Sequence, residues 1–382
     1  MSVFAGAAAM LPNPKPFFEL IPDPRRATPN KLHSLSDILS IALCAVLSGM
    51  DDWEAVAEFG RTKEGWLRQF LPLANGIPSH DTFGRVFSLI DPEAFEAAFF
   101  DWAAHARIGG DVLDQLALDG KTVRRSHRGS AGRALHLLHA WSCETRLLVA
   151  QRRVDTKSNE ITAIPDILSL FDLRGVTISI DAIGCQKAVA RQITEAGGDY
   201  VLALKGNQSA LHDDVRLFME TQADRHPQGQ AEAVEKDHGR IETRRIWVND
   251  EIDWLTQKPD WPGLKTLVMV ESRRELNGQV SCERRCFITS HTADPERVGR
   301  YIRHHWRVEN SLHWVLDMAF NEDQSRARVG HAAENLAIIR RFALNLLRQS
   351  KGSKLGVKNK RLRAAYDDAF RALVLQLQPL EH

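Results

Sequence analysis

Alternation of strand and helix between residues 161 and 205 constrains this chain most. The patterns predict a helix over 161–171, a strand over 176–181 (VTISID), a helix over 186–196 and a strand over 200–205 (YVLALK). Strands alternating with helices in this way build an α/β domain. Three more short runs precede them, at 112–119 (VLDQLALD), 134–142 and 147–154, and read as consecutive strands bounded by Gly, Ser or charged turns. Upstream, the pattern from Leu35 to about Ala106 is helical. Ser36 and Asp37 are expected to cap the first apolar run, Asp81 and Thr82 to open another helix, and Phe95, Phe99 and Trp102 recur at helical spacing. Downstream, a helix is followed by β-like stretches at 241–248, 266–271 and 282–289, before a long helical pattern resumes at Asp294. The expected organisation is a helical N-terminal domain (1–108), an α/β domain (109–350) with a β-rich insertion at about 210–292, and a basic C-terminal tail (351–382).

Composition narrows the class. The 382 residues, 43% hydrophobic and 26% charged, can bury a core and exclude a disordered or collagen-like chain. A net charge of +1 neither advertises nor excludes an anionic partner, so only the distribution of charge is informative. The five cysteines are odd in number and show no CxxC spacing, which argues against a zinc module or disulfide framework and fits a reducing cytoplasm. Cys282 and Cys286, four apart on one strand, are expected to share a face and to serve packing or solvent. The N-terminus has no basic residue before Lys15 and is broken by Pro12 and Pro14, a poor signal peptide. The most apolar run, 38–50, has 13 residues, against the ~20 needed to span a bilayer. No membrane partner is expected.

Carboxylates carry the chemical signal. Asp119 (LALDGK) and Asp181 (ISIDAIG) end apolar strands, and the carboxyl edge of an α/β sheet is where active sites gather. Either one alone reads equally well as a solvated or capping residue. In the helix expected over 302–320, Ile302, His305, Trp306, Glu309, Leu312, His313 and Leu316 share one face at 100° per residue, which turns Glu309 inward. An ionised carboxylate there needs His305, His313, an arginine or a metal beside it. Three converging carboxylates suit a hard divalent cation, and two ions ~3.5–4 Å apart can serve phosphodiester cleavage. Asp317, about 80° round the helix and ~12 Å further along, is excluded from the same site. Glu322 and Asp323 read as capping or pairing residues, with Arg326 or Arg328 as partners.

Two basic runs fit a phosphate-bearing substrate, although each alone also reads as a solvated face. Segment 120–133 holds Lys121, Arg124, Arg125, Arg128 and Arg133 without an acid, and 340–371 holds ten Lys/Arg against two aspartates. The chain has no HExxH, GxxxxGK[ST] or GxSxG, which argues against a zinc protease, a P-loop NTPase and an α/β-hydrolase.

In this order and spacing, LALDGKTVR, TISIDAIGCQ, LALKGNQ, DHGRIETRR and IRHHWRVENSLHWVLDMAFNEDQSRAR resemble the DDE transposases of bacterial insertion sequences, in the branch that includes the H-repeat-associated proteins. FFELIPDPRR and GIPSHDTFGRVF look like that branch's associated N-terminal domain. The resemblance implies a ribonuclease-H-like catalytic domain in which Asp119, Asp181 and Glu309 hold two Mg²⁺ ions, with Mn²⁺ as a substitute. It implies double-stranded DNA as partner, both element ends and target, a homodimer or higher synaptic assembly, and a cytoplasmic, nucleoid-associated protein. Lys121, Arg124, Arg125, Arg128, Lys205, Asn207, His238 and Arg240 are the expected DNA contacts. Where the wider superfamily shows Y-x2-R-x3-E-x6-K, this chain has Ile302, His305 and Leu316 around Glu309, so those Tyr, Arg and Lys roles do not carry over. A nuclease without strand transfer, and an inactive relative that only binds DNA, are the alternative readings.

Overall fold

The computed structural model describes residues 11–29, 31–105, 113–127, 133–154, 160–237, 240–350 and 353–380. The N-terminal region is helical: α1 (Lys15–Phe18), α2 (Leu35–Leu47), α3 (Trp53–Thr62), α4 (Glu64–Leu67), α5 (His80–Leu89) and α6 (Pro92–Ala104). Their starts follow from capping chemistry. Ser34 accepts the Asp37 amide at 3.0 Å, Asp52 that of Ala55 at 2.8 Å and Ser79 that of Thr82 at 3.3 Å. The caps thus fall before the residues expected from the sequence, because Ser34 and Ser79 have the extended backbone that aims a hydroxyl at first-turn amides.

Strands β1 (Gln115–Val123), β2 (Leu135–Ser142), β3 (Leu147–Val154), β4 (Thr177–Ile180), β5 (Asp199–Leu204), β6 (Ala231–Asp237), β7 (Arg240–Asn249), β8 (Thr266–Leu276) and β9 (Gln279–Thr289) form a single sheet. Its order is β3-β2-β1-β4-β5-β9-β8-β7-β6. β1, β4 and β5 are parallel, while β1, β2 and β3 run antiparallel. This five-strand arrangement is the ribonuclease-H-like core. Helices α7 (Glu160–Leu168) and α8 (Lys187–Glu195) supply the crossovers that parallel pairing demands.

After α9 (Ser209–Arg225), the β-rich segment continues this same sheet. β9 pairs antiparallel with β5 from Val201↔Thr289 to Leu204↔Cys286, closing an edge that would otherwise be open to pairing. β6 carried no sequence signal, because AEAVEKD is mostly charged and exposed. The inner halves of β8 and β9 are buried and their outer halves leave the core as a charged ribbon, which is why Cys286 is buried and Cys282 exposed on one strand.

The rest is helical: α10 (Pro295–Val308), a π turn (Glu309–His313), α11 (Trp314–Phe320), α12 (Ala332–Gln349), α13 (Val357–Tyr366) and α14 (Asp368–Leu375). α12 is buried nearly all round, including Glu334, Asn335, Arg340, Arg341 and Asn345 among its apolar residues. It packs on α2, α5 and α6 on the N-terminal side and on β3 of the sheet, so both regions share one core. Its buried Asn345 bonds both backbone groups of Leu148, accepting at 3.1 Å and donating at 2.8 Å. Among the described residues no helix is long and apolar enough to cross a membrane.

The basic run 340–371 proves to be largely internal. Arg340, Arg341, Lys360, Arg361 and Arg371 are buried. Arg361 reaches the Val46 carbonyl at 2.6 Å and Asp51 at 2.7 Å, and Arg371 stacks 3.9 Å over the Trp66 ring. The expected tail is instead two folded helices, α13 and α14, packed on each other. Glu322 is not a surface cap but a fully buried partner of Arg341, 3.1 Å from Nη2. Burial alone would push its carboxyl up, but Arg341 and Arg340 outweigh that and hold it below the ordinary carboxylate range.

Removing one member of a buried pair strands the other, at a cost of ~3–5 kcal/mol. Arg341→Met is therefore expected to lower the unfolding free energy in urea by about that amount, with Glu322→Met/Arg341→Met recovering most of it. Because the native pKa of Glu322 is depressed, the pair's contribution is complete above the unfolded value of ~4.3 and disappears as pH falls through the native one. Neutralising Arg361 and Arg371 should likewise cost stability.

Candidate active site

Register creates the site. Leu118↔Ile180 is the last pair of the β1–β4 ladder, so the next residues, Asp119 and Asp181, come side by side at the carboxyl edge. Asp181 ends its strand as expected. Asp119 does not, because β1 continues four residues further on its pairing with β2 to Val123↔Leu135. Asp119 Oδ1 accepts the Gly120 amide at 2.9 Å, and Asp181 Oδ1 accepts that of Ile183 at 3.1 Å, capping a short 3₁₀ turn. Behind the strand, His136 Nε2 lies 2.5 Å from Glu160, and a Cβ at Gly120 would collide with that carboxylate. Only glycine fits there.

The third element departs from the straight helix expected over 302–320. At the π turn one residue more is accommodated per hydrogen-bonded ring, and the 3.6-residue phase breaks. Glu309, expected to face inward, is instead 71% exposed at the cleft rim, while His313 is 6% exposed. His313 Nδ1 lies 3.1 Å from Glu309 Oε2 and 3.6 Å from Asp119 Oδ2. Donor atoms of Asp119, Glu309 and His313 fall within 4.8 Å of one another and could hold a metal ion. Asp181 lies outside that cluster but lines the same cleft, of about 380 Å³, with Lys205, His305 and Trp306. The sequence left open which group pairs with Glu309. The i,i+4 spacing of Glu309 and His313 was the signal that could have settled it.

Electrostatics favour a cation here. Burial, together with Asp181 alongside, raises the Asp119 carboxyl against the opposing pull of His313 and His305. The hydrogen bond from His313 lowers Glu309. Burial lowers His305, whose Nδ1 lies 3.1 Å from Ser179 Oγ on β4.

Several expected DNA contacts have other positions. Lys121 is buried, with Nζ 2.7 Å from both Asp317 oxygens and 3.7 Å from Asp323. Its charge is spent inside, where a groove could not reach it. Asp317, which is not among the donors of the metal cluster, pins α11 to β1 through this bond. Asn207 uses its amide on the Ala182 carbonyl at 2.6 Å, bracing the turn after Asp181. Arg124 and Arg125 are exposed, Arg124 lying 3.2 Å from Asp323. Lys205 lines the cleft, whereas Arg240, at the outer end of β7, is 3.5 Å from Glu242 and does not. Arg128 and His238 lie outside the described residues.

Two family models match the chain. Residues 16–103 match the DDE_Tnp_1-associated domain, and 111–346 match the transposase DDE domain. "Putative transposase YncI" of Escherichia coli O157:H7 is 40% identical over 94% of this chain and 93% of its own length. "H repeat-associated putative transposase YhhI" of Escherichia coli K12 is 40% identical over 93% of this chain and 96% of its own. "H repeat-associated putative transposase YbfD" of the same strain is 42% identical over 62% of this chain and 93% of its own. With the domain model spanning residues 111–346 and full-length relatives at 40% identity, the chain belongs to the DDE transposase family.

Proposed function

We propose that this protein cuts DNA at the ends of an insertion sequence and joins the freed 3′-hydroxyl to target DNA, using divalent cations held by Asp119, Asp181 and Glu309. The observation that carries the reading is the convergence of Asp119, Glu309 and His313 within 4.8 Å, with Asp181 in the same cleft. The donor set fits Mg²⁺ or Mn²⁺: it is oxygen-rich, and its carboxylates have no lysine or arginine within ion-pair distance among the described residues. Lys121, the nearest candidate by sequence, is committed to Asp317. When bound, two such cations would activate an attacking oxygen and stabilise the leaving oxygen of an in-line displacement.

The protein's own groups do the positioning. The parallel register fixes Asp119 against Asp181, and the bonds from Gly120 and Ile183 orient one oxygen of each carboxylate. His313 holds Glu309 at the rim, and the Lys121–Asp317 pair holds the helix behind it against β1. Lys205 at the cleft edge supplies a cation for the scissile phosphate, and exposed Arg124 and Arg125 suit flanking backbone. Acting on two element ends calls for a homodimer or larger synaptic assembly on DNA, at the bacterial nucleoid.

Asp119→Asn, Asp181→Asn and Glu309→Gln are each expected to abolish Mg²⁺-dependent nicking of an end-bearing duplex while leaving its binding within about threefold, since phosphate contacts supply most affinity. Near wild-type nicking by any of the three removes that residue from the site, and an inactive wild-type protein that still binds ends points to a DNA-binding relative. Asp317→Asn should retain Mn²⁺ binding but lose stability of about 1.5–3 kcal/mol, the worth of a charged hydrogen bond. Loss of the ion with Asp317→Asn, measured by electron paramagnetic resonance, would reverse the assignment.

A further inference from the structure

The catalytic cleft does not end at Glu309. Trp306 lines it on one side and lines a second groove, of about 520 Å³, on the other. Its ring lies between two guanidiniums, Arg285 at 5.1 Å on the cleft side and Arg244 at 5.9 Å on the groove side. The second groove runs between α10 and the β6–β7 hairpin, and its walls are rich in arginine: Arg244 and Arg245 from β7, Arg300, Arg303 and Arg307 from α10. Residues 300, 303 and 307 recur at i, i+3 and i+7, one face of the helix, and cover ~10 Å of its length at 1.5 Å per residue.

Only part of this charge is neutralised locally. On β7 the charge is answered, Arg244 lying 2.5 Å from Glu242 and 2.9 Å from Glu235 and Arg245 lying 2.8 Å from Glu232 and 3.8 Å from Glu271; on α10, Arg303 also contacts Glu235. Arg300 is 53% exposed, and among the described residues its ion-pair partner is Asp114 at 3.8 Å. Arg307 has no ion pair among the described residues and stands close enough to Arg303 to disfavour that residue's charge, after burial the next cause of its lowered pKa. Along α10, three arginines are answered among the described residues only by Glu235 at Arg303 and by Asp114 at 3.8 Å from Arg300, and such a surplus of positive charge marks a place where an anion completes the structure. At 3.4 Å rise per nucleotide, ~10 Å of helix faces about three phosphates of one strand.

We infer that this groove is a DNA-backbone track: a strand leaving the catalytic cleft passes over Trp306 and lays its phosphates along Arg300, Arg303 and Arg307. The occupant is nucleic acid because the charge is arranged as a line continuous with the cleft, with an aromatic ring at the junction on which a base can stack. The inference rests on the transposase reading above and extends it to residues that do not touch the metal cluster.

The test compares full-length wild type, Arg300→Gln/Arg303→Gln/Arg307→Gln and the matching triple Lys variant on an end-bearing duplex at 50–200 mM salt. Wild-type nicking with Mg²⁺ serves as the check on the parent reading. The Gln variant is expected to keep Mn²⁺ binding and thermal unfolding near wild type, to bind DNA more weakly, and to flatten the salt slope by about 2–3, at ~0.9 for each phosphate no longer neutralised. The Lys variant should restore most of the slope, separating charge from folding. A Gln variant with the wild-type slope and affinity, in a preparation that nicks normally, overturns the track while leaving the transposase reading intact. A wild-type protein that neither binds nor nicks the duplex overturns both.

Discussion

Two carboxylates held against each other at the edge of a parallel sheet are the constraint on which the rest of this molecule depends. The β1–β4 ladder ends at Leu118↔Ile180, and the chain has no freedom to place Asp119 and Asp181 anywhere but beside one another. Like charges in a half-buried cleft are costly unless a cation answers them. The fold leaves that cost standing: Lys121, two residues after Asp119, turns away to Asp317, and the arginines of α12 turn to Glu322 and the core. Among the described residues His313 is the one basic side chain within ion-pair distance of Asp119, and it is shared with Glu309. A site that crowds its carboxylates and keeps lysine and arginine beyond ion-pair distance of them suits a divalent cation.

Much of this was legible in the sequence, for reasons that particular residues make plain. Apolar runs leading to Asp119 and Asp181 announced both strands, because strands buried on both faces are nearly all apolar, but only Asp181 marks a strand end, β1 running on past Asp119 to Val123. Glu309 was legible as a candidate site residue but not in its orientation. A periodicity argument assumes one helical phase, and the π turn at Glu309–His313 changes that phase without changing the sequence pattern. β6 was illegible because its exposed, charged residues carry no alternation. Its strand character comes from pairing with β7, from Ala231↔Ile246 to Asp237↔Arg240, which is a tertiary fact.

Charge runs were the least transferable signal. The segment 340–371 has the composition of a nucleic-acid tail, yet Arg340, Arg341, Arg361 and Arg371 are buried. Arginine tolerates this because its planar donors can be satisfied by carbonyls and stacked on rings, as Arg361 does with Val46 and Phe320. Conversely, the arginines of α10 are spread through RYIRHHWR among apolar and histidine residues and formed no obvious run. Burial sorts the two sets: one welds α12–α14 into the core, and the other lines a groove that opens from the catalytic cleft.

The most direct measurement is a crystal structure of the protein grown with Mn²⁺, with the ions located by anomalous scattering. Density is expected in the cleft among Asp119, Asp181, Glu309 and His313, with Asp317 still bonded to Lys121. Mn²⁺ bound at Asp317 and Asp323 instead, or a cleft that stays empty at saturating metal while Lys121 swings in to pair with Asp119, would contradict the proposed chemistry at its root.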